Sequence, residues 1–132
     1  MKHLTLILTL FFSTLMFASP AYAKWEKVAV SVSGDTFYVD FDRMRTNGGY
    51  VYYWYLIDLL KPSKYGDLSS KTYNQSDCEM FRLKPLSFIS YKQPMGEGLG
   101  ETYTPPNPEW SYPSPNSAME NILKQVCRSA GL

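Results

Sequence analysis

The chain has 132 residues, of which 45% are hydrophobic and 19% are charged, a composition typical of one globular domain rather than of a disordered chain. With a leader of 23 residues set aside, the remaining 109 residues hold 12 basic and 12 acidic side chains and no histidine. This neutral remainder offers no electrostatic attraction to a nucleic acid backbone or to an anionic membrane, so we expect neither as a partner.

The first 23 residues have the layout of a cleaved secretory signal peptide. Lys2 gives a positive start, Leu4–Phe17 is an uncharged run, and small residues follow at Ala21 and Ala23. A membrane anchor is the less favoured interpretation, because a spanning helix needs about 20 apolar residues and this run has 14. No cysteine lies nearby to accept a lipid. We expect cleavage after Ala23 and export of residues 24–132 as a single domain, either periplasmic or extracellular and on the cell surface, without a transmembrane segment.

The start of this domain alternates in a way that predicts a β-hairpin. Ser33–Asp35 forms the turn and Thr36–Val39 the second strand. Asp40 can cap a single helical turn, and Asn47–Gly49 predicts a reversal, because Asn and Gly accept positive φ. The first strand, Trp25–Val32, should bury the face that holds every second residue, Val28, Val30 and Val32.

The next strand, Tyr50–Leu60, is apolar on both faces. A strand with one face in water should alternate apolar and polar residues, so both faces of this strand should be covered. The favoured interpretation is a central strand that is buried on both sides. The alternative is an aromatic surface that contacts a ligand, a partner or a second copy of the chain. The residues of that interaction surface would be Tyr50, Tyr52 and Trp54.

Two further strands and a connector follow. Leu68–Asp77 is mostly polar, which predicts a strand near the sheet edge. Met80–Tyr91 predicts a more apolar strand, and Pro85 within it marks an edge position or a bulge, because proline cannot donate a ladder hydrogen bond. Gln93–Gly100 predicts a flexible connector before a short strand at Glu101–Tyr103.

The segment Thr104–Pro115 has five prolines around Trp110 and Tyr112. A proline-rich segment can dock into an aromatic groove of a partner. The favoured interpretation is that the two aromatic rings anchor this long loop to the body of the domain.

The C-terminal segment predicts an amphipathic helix. Ser117 and Glu120 have the spacing of a capping box, and Gly131 suits the helix end. The apolar residues form one stripe at helical spacing, which should face the core: Met119, Ile122, Leu123, Val126, Cys127 and Ala130.

Cys78 and Cys127 are the only two cysteines. In an oxidising compartment such a pair predicts a disulfide, here between helix and sheet. The bond would close a loop of about 50 residues and stabilise the fold by about 4 kcal/mol in the chain-entropy model. A reactive thiol is disfavoured, because no histidine remains to lower its pKa.

The residue types also limit the chemistry. Without histidine, Ser-His and Cys-His nucleophiles and most transition-metal sites are excluded, and no phosphate-binding or dinucleotide motif is present. Four carboxylates could in principle pair for glycoside chemistry, although capping, turn and surface roles explain them more simply: Asp40, Asp42, Asp58 and Glu97. We therefore expect no enzyme, no cofactor and no metal.

The ordered motifs resemble the bacterial surface-adhesin protein E family. The matching pieces are Trp25-x-Lys27-Val28, Tyr38-Val39-Asp40, Trp54-x-Leu56-x-Asp58, Ser70-Lys71, Asp77-Cys78, Met95-Gly96-x-Gly98, Pro108-x-Trp110, Ser117-x-x-Glu120 and Val126-Cys127. The resemblance implies an α+β fold, an antiparallel sheet of about six strands packed against a C-terminal helix, with one disulfide. It also implies a non-enzymatic adhesin that binds host matrix or serum glycoproteins such as vitronectin and laminin and can form a homodimer.

Two other roles remain open. A periplasmic inhibitor or accessory protein could act on an envelope partner by inserting the loop Lys92–Gly100 into its cleft. A dimer could form through the sheet face of Tyr50–Leu60.

Overall fold

A computed structural model describes residues 23–132, so the predicted signal peptide lies outside the described residues except for Ala23. Within these described residues the chain forms seven strands, one α-helix and two short 3-10 turns, at Phe41–Arg43 and Pro94–Gly96. The strands and the helix are β1 (Glu26–Val30), β2 (Thr36–Val39), β3 (Arg45–Asn47), β4 (Tyr50–Asp58), β5 (Ser69–Asp77), β6 (Arg82–Tyr91), β7 (Gly100–Tyr103) and α1 (Ala118–Ser129).

The strands form one antiparallel sheet in the order β1-β2-β4-β5-β6-β7, with β3 paired to β4. β2 and β3 share one edge of β4: β2 pairs with Tyr55–Asp58 and β3 with Tyr50–Tyr52. The 3-10 turn between them is capped by Asp40, whose Oδ1 accepts from the Asp42 N–H at 3.2 Å, as predicted. The α+β prediction is confirmed, and β3 is the strand beyond the six expected.

The predicted buried stripe of β1 is wrong beyond its first residue. The register against β2 shifts between Lys27 and Ala29, so a bulge interrupts the alternation. Only Val28 is buried, whereas Val30 is 52% exposed and Val32 lies outside the strand in solvent. At the bulge, the Val28 carbonyl accepts hydrogen bonds from two side chains of α1: Asn121 Nδ2 donates to it at 2.8 Å and Gln125 Nε2 at 3.1 Å.

The prediction that the polar strand lies near the sheet edge is also wrong. β5 lies in the centre of the sheet, paired with β4 on one side and with β6 on the other. Its polar side chains are buried instead of solvated: Ser69, Thr72, Asn74 and Ser76. They can be buried because they are short and several find hydrogen-bond partners inside, as when Tyr53 Oη and Ser76 Oγ approach to 2.8 Å.

The predicted irregularity at Pro85 is confirmed as a bulge. Tyr73 pairs with Ser87 and Asn74 with Pro85, so Leu86 is the extra residue of β6. The proline therefore lies where the ladder is already interrupted. The reversal at Asn47–Gly49 is also confirmed, since it joins β3 to β4.

The helix begins and ends much as its sequence predicts. Ser117 Oγ accepts from the Glu120 N–H at 3.1 Å, but the Glu120 carboxylate accepts from Asn116, one residue earlier than a capping box requires. At the other end Gly131 has φ of 77° and the Leu132 N–H donates to the Cys127 carbonyl at 2.9 Å. These are the features of a Schellman C-cap.

The core lies between α1 and one face of the sheet. Ile122, Leu123 and Val126 are fully buried and belong to one cluster with sheet residues such as Val39 and Tyr53. The predicted disulfide is confirmed: Cys78, just after β5, is bonded to Cys127 in the last turns of α1, with a Cα–Cα distance of 5.8 Å. Packing and bridge together fix the helix on this face, which leaves the opposite face of the sheet without a helix.

Candidate functional site

The face of the sheet opposite α1 is aromatic. Alternation along β4 places Val51 and Tyr53 in the core and Tyr50, Tyr52 and Trp54 on the opposite face. These last three side chains are half-buried. β4 is therefore apolar on both faces for two different reasons. One face packs in the core, and the other forms a partly exposed aromatic surface.

Neighbouring strands extend this surface. Tyr73 of β5 is paired with Trp54, and the two rings have centroids 5.0 Å apart; the Tyr52 and Tyr73 centroids are 6.3 Å apart. Three further rings, those of Trp25, Tyr91 and Trp110, come from outside β4 and β5. We call the whole set the aromatic face: Trp25, Tyr50, Tyr52, Trp54, Tyr73, Tyr91 and Trp110.

One of the two predicted loop anchors is confirmed. The Trp110 ring packs against Tyr50 with centroids 5.6 Å apart, and the neighbouring Ser111 exchanges two backbone hydrogen bonds of 2.9 Å with Leu83 of β6. Tyr112 is 63% exposed, so the prediction that it anchors the loop is wrong. Trp110 therefore lies at one end of the aromatic face, next to Tyr50.

Cationic side chains are interleaved with these rings. The Arg45 guanidinium lies 5.7 Å from the centre of the Tyr52 ring, and its Nη2 donates to Tyr73 Oη at 2.9 Å. Arg82 and Lys84 both lie over the Trp110 ring, at 4.5 and 4.4 Å from its centre. Such contacts hold a cation at a surface without neutralising its charge.

Asp77 is the carboxylate at the Trp110 end of this face. The Met80 N–H donates to it at 3.1 Å and Arg82 Nε at 3.0 Å. The backbone hydrogen bond from Met80 first, and then Arg82, hold the pKa of Asp77 below its ordinary value, although burial acts in the opposite direction. Asp77 thus balances the positive charge of Arg82, whereas Lys84 and Arg45 form no ion pair with another described residue.

A cleft of about 220 Å³ opens at the other end of the aromatic face. It is lined by Ala23, Trp25, Asp40, Arg43, Trp54, Lys71, Ile89 and Tyr91. The Lys71 ammonium lies 4.9 Å from the centre of the Tyr91 ring and 5.7 Å from that of Trp25. The cleft therefore combines flat aromatic walls with a cation.

The turn Pro94–Gly96 packs against Lys71, one of the residues that line this cleft. Gly96 has φ of 66°, and a Cβ there would lie 2.5 Å from Lys71 Cε and 3.0 Å from Leu56 Cδ1. The Gly96 N–H donates to Ser69 Oγ at 2.8 Å. Glycine at this position is what allows the turn to cover Leu56 and to hold the Lys71 chain.

Asp40 is the carboxylate of the cleft and is only 1% exposed. It accepts from the Lys24 backbone N–H at 3.4 Å, from the Asp42 N–H at 3.2 Å, and pairs with Arg43 Nε at 3.4 Å. These partners balance its charge, as a buried carboxylate requires.

The other predicted carboxylates have separate partners. Asp42 pairs with Lys24 at 3.5 Å, Asp58 Oδ1 accepts from the Met95 N–H at 2.9 Å, and Glu97 is exposed. Of the four, Asp40 alone lines the cleft. Within residues 23–132 no group of three or more His, Cys, Asp or Glu side chains could hold a metal ion.

The segment Lys92–Gly100 is tied down at its start. Ser69 Oγ donates to the Gln93 carbonyl at 2.6 Å, and Lys92 pairs with Asp67 at 3.0 Å. Leu99, near its end, is 97% exposed. The segment is thus a loop with a hydrogen-bonded base and an apolar side chain in solvent.

The sequence interpretation missed Lys71, Tyr73, Trp25 and Tyr91 as neighbours of the predicted surface. Alternation along β5 does place Lys71 and Tyr73 on one face. The pairing of Tyr73 with Trp54 and of Lys71 with Leu56 could have been found only with the β4–β5 register, which the sequence alone does not specify.

The comparisons with known proteins agree with this architecture. The family model described as surface-adhesin protein E matches residues 25–128. No curated protein matches the sequence. Among the described residues, 23–132, no helix is both long and apolar enough to cross a membrane.

Solved structures of Haemophilus influenzae protein E have the same fold. Its crystal form II is 16% identical, with a TM-score of 0.61 over 88% of this chain and 98% of that chain. Protein E from non-typeable Haemophilus influenzae is also 16% identical, with a TM-score of 0.63 over 87% of this chain and 84% of that chain. At this identity the likeness shows the fold.

Proposed function

This chain belongs to the surface-adhesin protein E family, and on that premise we propose that it is an exported, non-enzymatic binding protein whose aromatic face contacts a protein partner. The observation that supports the proposal is the composition of that face. Half-buried aromatic rings interleaved with cations are typical of interaction surfaces, where Trp, Tyr and Arg supply most of the binding free energy.

The proposed partners are host matrix or serum glycoproteins such as vitronectin and laminin. Tyr50, Tyr52 and Trp54 form the middle of the contact, and Arg45 and Lys84 flank it, Arg45 over the Tyr52 ring and Lys84 over the Trp110 ring. Export follows from the proposed cleavage after Ala23 and places the mature chain in the periplasm or at the cell surface. Because these two flanking cations form no ion pair with a described residue, we expect the partner to present an acidic patch.

The test is surface plasmon resonance of residues 24–132 over immobilised vitronectin and laminin. Arg45→Glu and Lys84→Glu reverse charges on the aromatic face, and Lys124→Glu makes the same change on α1, on the other side of the sheet. The proposal predicts saturable binding that the first two variants weaken by about tenfold or more and that the third leaves unchanged. Absence of saturable binding to either glycoprotein, or equal losses in all three variants, would contradict it.

A second candidate function is a periplasmic inhibitor or accessory protein. The loop Lys92–Gly100 favours it, because its base is hydrogen-bonded while Leu99 stands in solvent. A pull-down from cell envelopes with wild type and Leu99→Ala tests this role: a partner captured by wild type and lost with the variant supports it, and a partner captured equally by both counts against it.

Dimerisation through the aromatic face stays a prediction, which light scattering at high concentration tests.

A further inference from the structure

The cleft at the end of the aromatic face contains a cation with no anionic partner. Among residues 23–132, Lys71 makes no hydrogen bond and no ion pair; its ammonium lies over the Trp25 and Tyr91 rings and near Gly96. Lys71 is also half-buried, so it is less hydrated than a surface lysine. A cation in this position binds an anion more strongly than an exposed one does.

The second cation of the cleft is already balanced. Arg43 pairs with Asp40 at 3.4 Å, and Asp40 is buried. Lys71 is therefore the lining cation that no carboxylate of the cleft balances. In chain that starts at Lys24, Ala23 is absent from the lining and the new α-ammonium lies beside Asp40, which makes the cleft more positive. A ligand with one negative charge is complementary to it.

The walls of the cleft specify the rest of the ligand. Trp25, Trp54 and Tyr91 supply flat apolar surfaces, while Asp40 and Arg43 supply polar atoms. A volume of about 220 Å³ accommodates one ring-sized unit, since sites for drug-sized ligands start near 300 Å³. A pyranose ring has the matching properties, because its C–H groups form apolar patches and its hydroxyls both donate and accept hydrogen bonds. An acidic amino acid side chain has the charge but no ring to contact three aromatic walls.

We propose that this cleft binds a single carboxylate-bearing sugar unit, with the carboxylate on Lys71 and the ring against Trp25 and Trp54. The proposal deepens the proposed function and rests on it, because it names the part of a glycoprotein that the chain recognises. Two sources share this chemistry, a terminal sialic acid and a glucuronic acid of a glycosaminoglycan.

The direct test is isothermal titration calorimetry of residues 24–132 with three small probes: sialyllactose, a glucuronic-acid disaccharide and lactose. One or both acidic probes should bind, and lactose, which lacks the carboxylate, should bind about tenfold more weakly or not at all. The acidic probe that binds identifies the source. Equal binding of lactose, or no binding of either acidic probe, overturns the proposal.

Variants assign the binding to the cleft. Lys71→Gln should lose about tenfold or more in affinity and Lys71→Arg should retain most of it, because only the second keeps the charge. Lys124→Gln on α1 is the matched control and should bind as wild type. Circular dichroism and thermal unfolding establish that each variant is folded, and a misfolded Lys71→Gln would be replaced by Lys71→Met. Unchanged affinity in a folded variant that lacks the Lys71 charge contradicts the proposal.

The two proposals fail separately. Chain that binds vitronectin or laminin equally well before and after sialidase and heparinase treatment keeps the proposed function and loses the sugar site. Chain that binds an acidic probe through Lys71 but neither glycoprotein keeps the site and loses those partners.

Discussion

The Tyr53 hydroxyl and Ser76 Oγ lie 2.8 Å apart in the interior between the sheet and α1, where both side chains are fully buried. Asn74 Nδ2 donates to the same Tyr53 oxygen at 3.2 Å. This small network explains how a mostly polar strand can lie in the centre of the sheet. Tyr53 of the neighbouring strand, instead of water, is the partner of Ser76 Oγ and Asn74 Nδ2. Among residues 23–132, Asn74 Oδ1 is buried without a hydrogen-bond partner.

Removal of this hydroxyl should destabilise the protein. Tyr53→Phe leaves Asn74 and Ser76 without their partner in a buried site, so the free energy of unfolding should fall by about 1–3 kcal/mol. Urea unfolding at neutral pH measures the change. Tyr112→Phe, at an exposed tyrosine, is the control and should change stability by less than about 0.5 kcal/mol.

The same residue should make the protein sensitive to alkali. Burial raises the pKa of Tyr53 from 10.0 to about 12, and burial also raises the pKa of Tyr55. Because the unfolded chain ionises first, this stability is fully present below pH 10 and is lost as the pH rises towards 12, to a total of about 3 kcal/mol for Tyr53. Urea unfolding between about pH 8 and 11.5 should show a smaller loss in Tyr53→Phe than in wild type. Parallel pH profiles for the two proteins would contradict the assignment.

Reduction of the disulfide should weaken the attachment of α1. Cys78 and Cys127 are 49 residues apart, and opening a loop of this length should lower the free energy of unfolding by about 4 kcal/mol. Urea unfolding with and without a thiol reductant measures the loss. The double variant Cys78→Ala with Cys127→Ala should be insensitive to the reductant, and a wild type that is equally insensitive would show that the bond contributes nothing.

The proposed cleavage after Ala23 should create an ion pair. It would turn the Lys24 backbone nitrogen, 3.4 Å from Asp40 Oδ2, into an ammonium beside a buried carboxylate. Chain starting at Lys24 should therefore be more stable than chain with one extra glycine before Lys24, by about 1 kcal/mol. Thermal unfolding of both forms, each with Asp40 and with Asp40→Asn, completes a double-mutant cycle. A difference of the same size in the Asp40→Asn pair would mean that the carboxylate is not involved.

Local features of this fold were predictable from the sequence. Ser117 and Gly131 mark the ends of α1, the apolar stripe fixes its buried side, and the two cysteines fix where it is attached. Each of these signals depends on residues close together in the chain or on a pair that has no alternative partner.

The features that the sequence did not predict depend on strand pairing. The bulge after Lys27 exposes Val30, and the central position of β5 buries Asn74, although neither residue type would be expected there. The aromatic face was only partly predictable for the same reason: Tyr50, Tyr52 and Trp54 lie on one strand, whereas Lys71 and Tyr73 reach them through the register between β4 and β5. Register is a long-range property, set by how whole faces pack.

The most direct test of the central claim, that the aromatic face binds the partner, is hydroxyl-radical footprinting of the mature chain with and without bound vitronectin or laminin. Aromatic side chains report their own solvent exposure in this experiment, and this protein has them on both sides of the sheet. We expect lower labelling of Tyr52, Trp54 and Tyr73 in the complex, with unchanged labelling of Tyr103 and Tyr112, which are exposed outside the aromatic face. Protection of Tyr103 or Tyr112 without protection of the aromatic face would contradict the account.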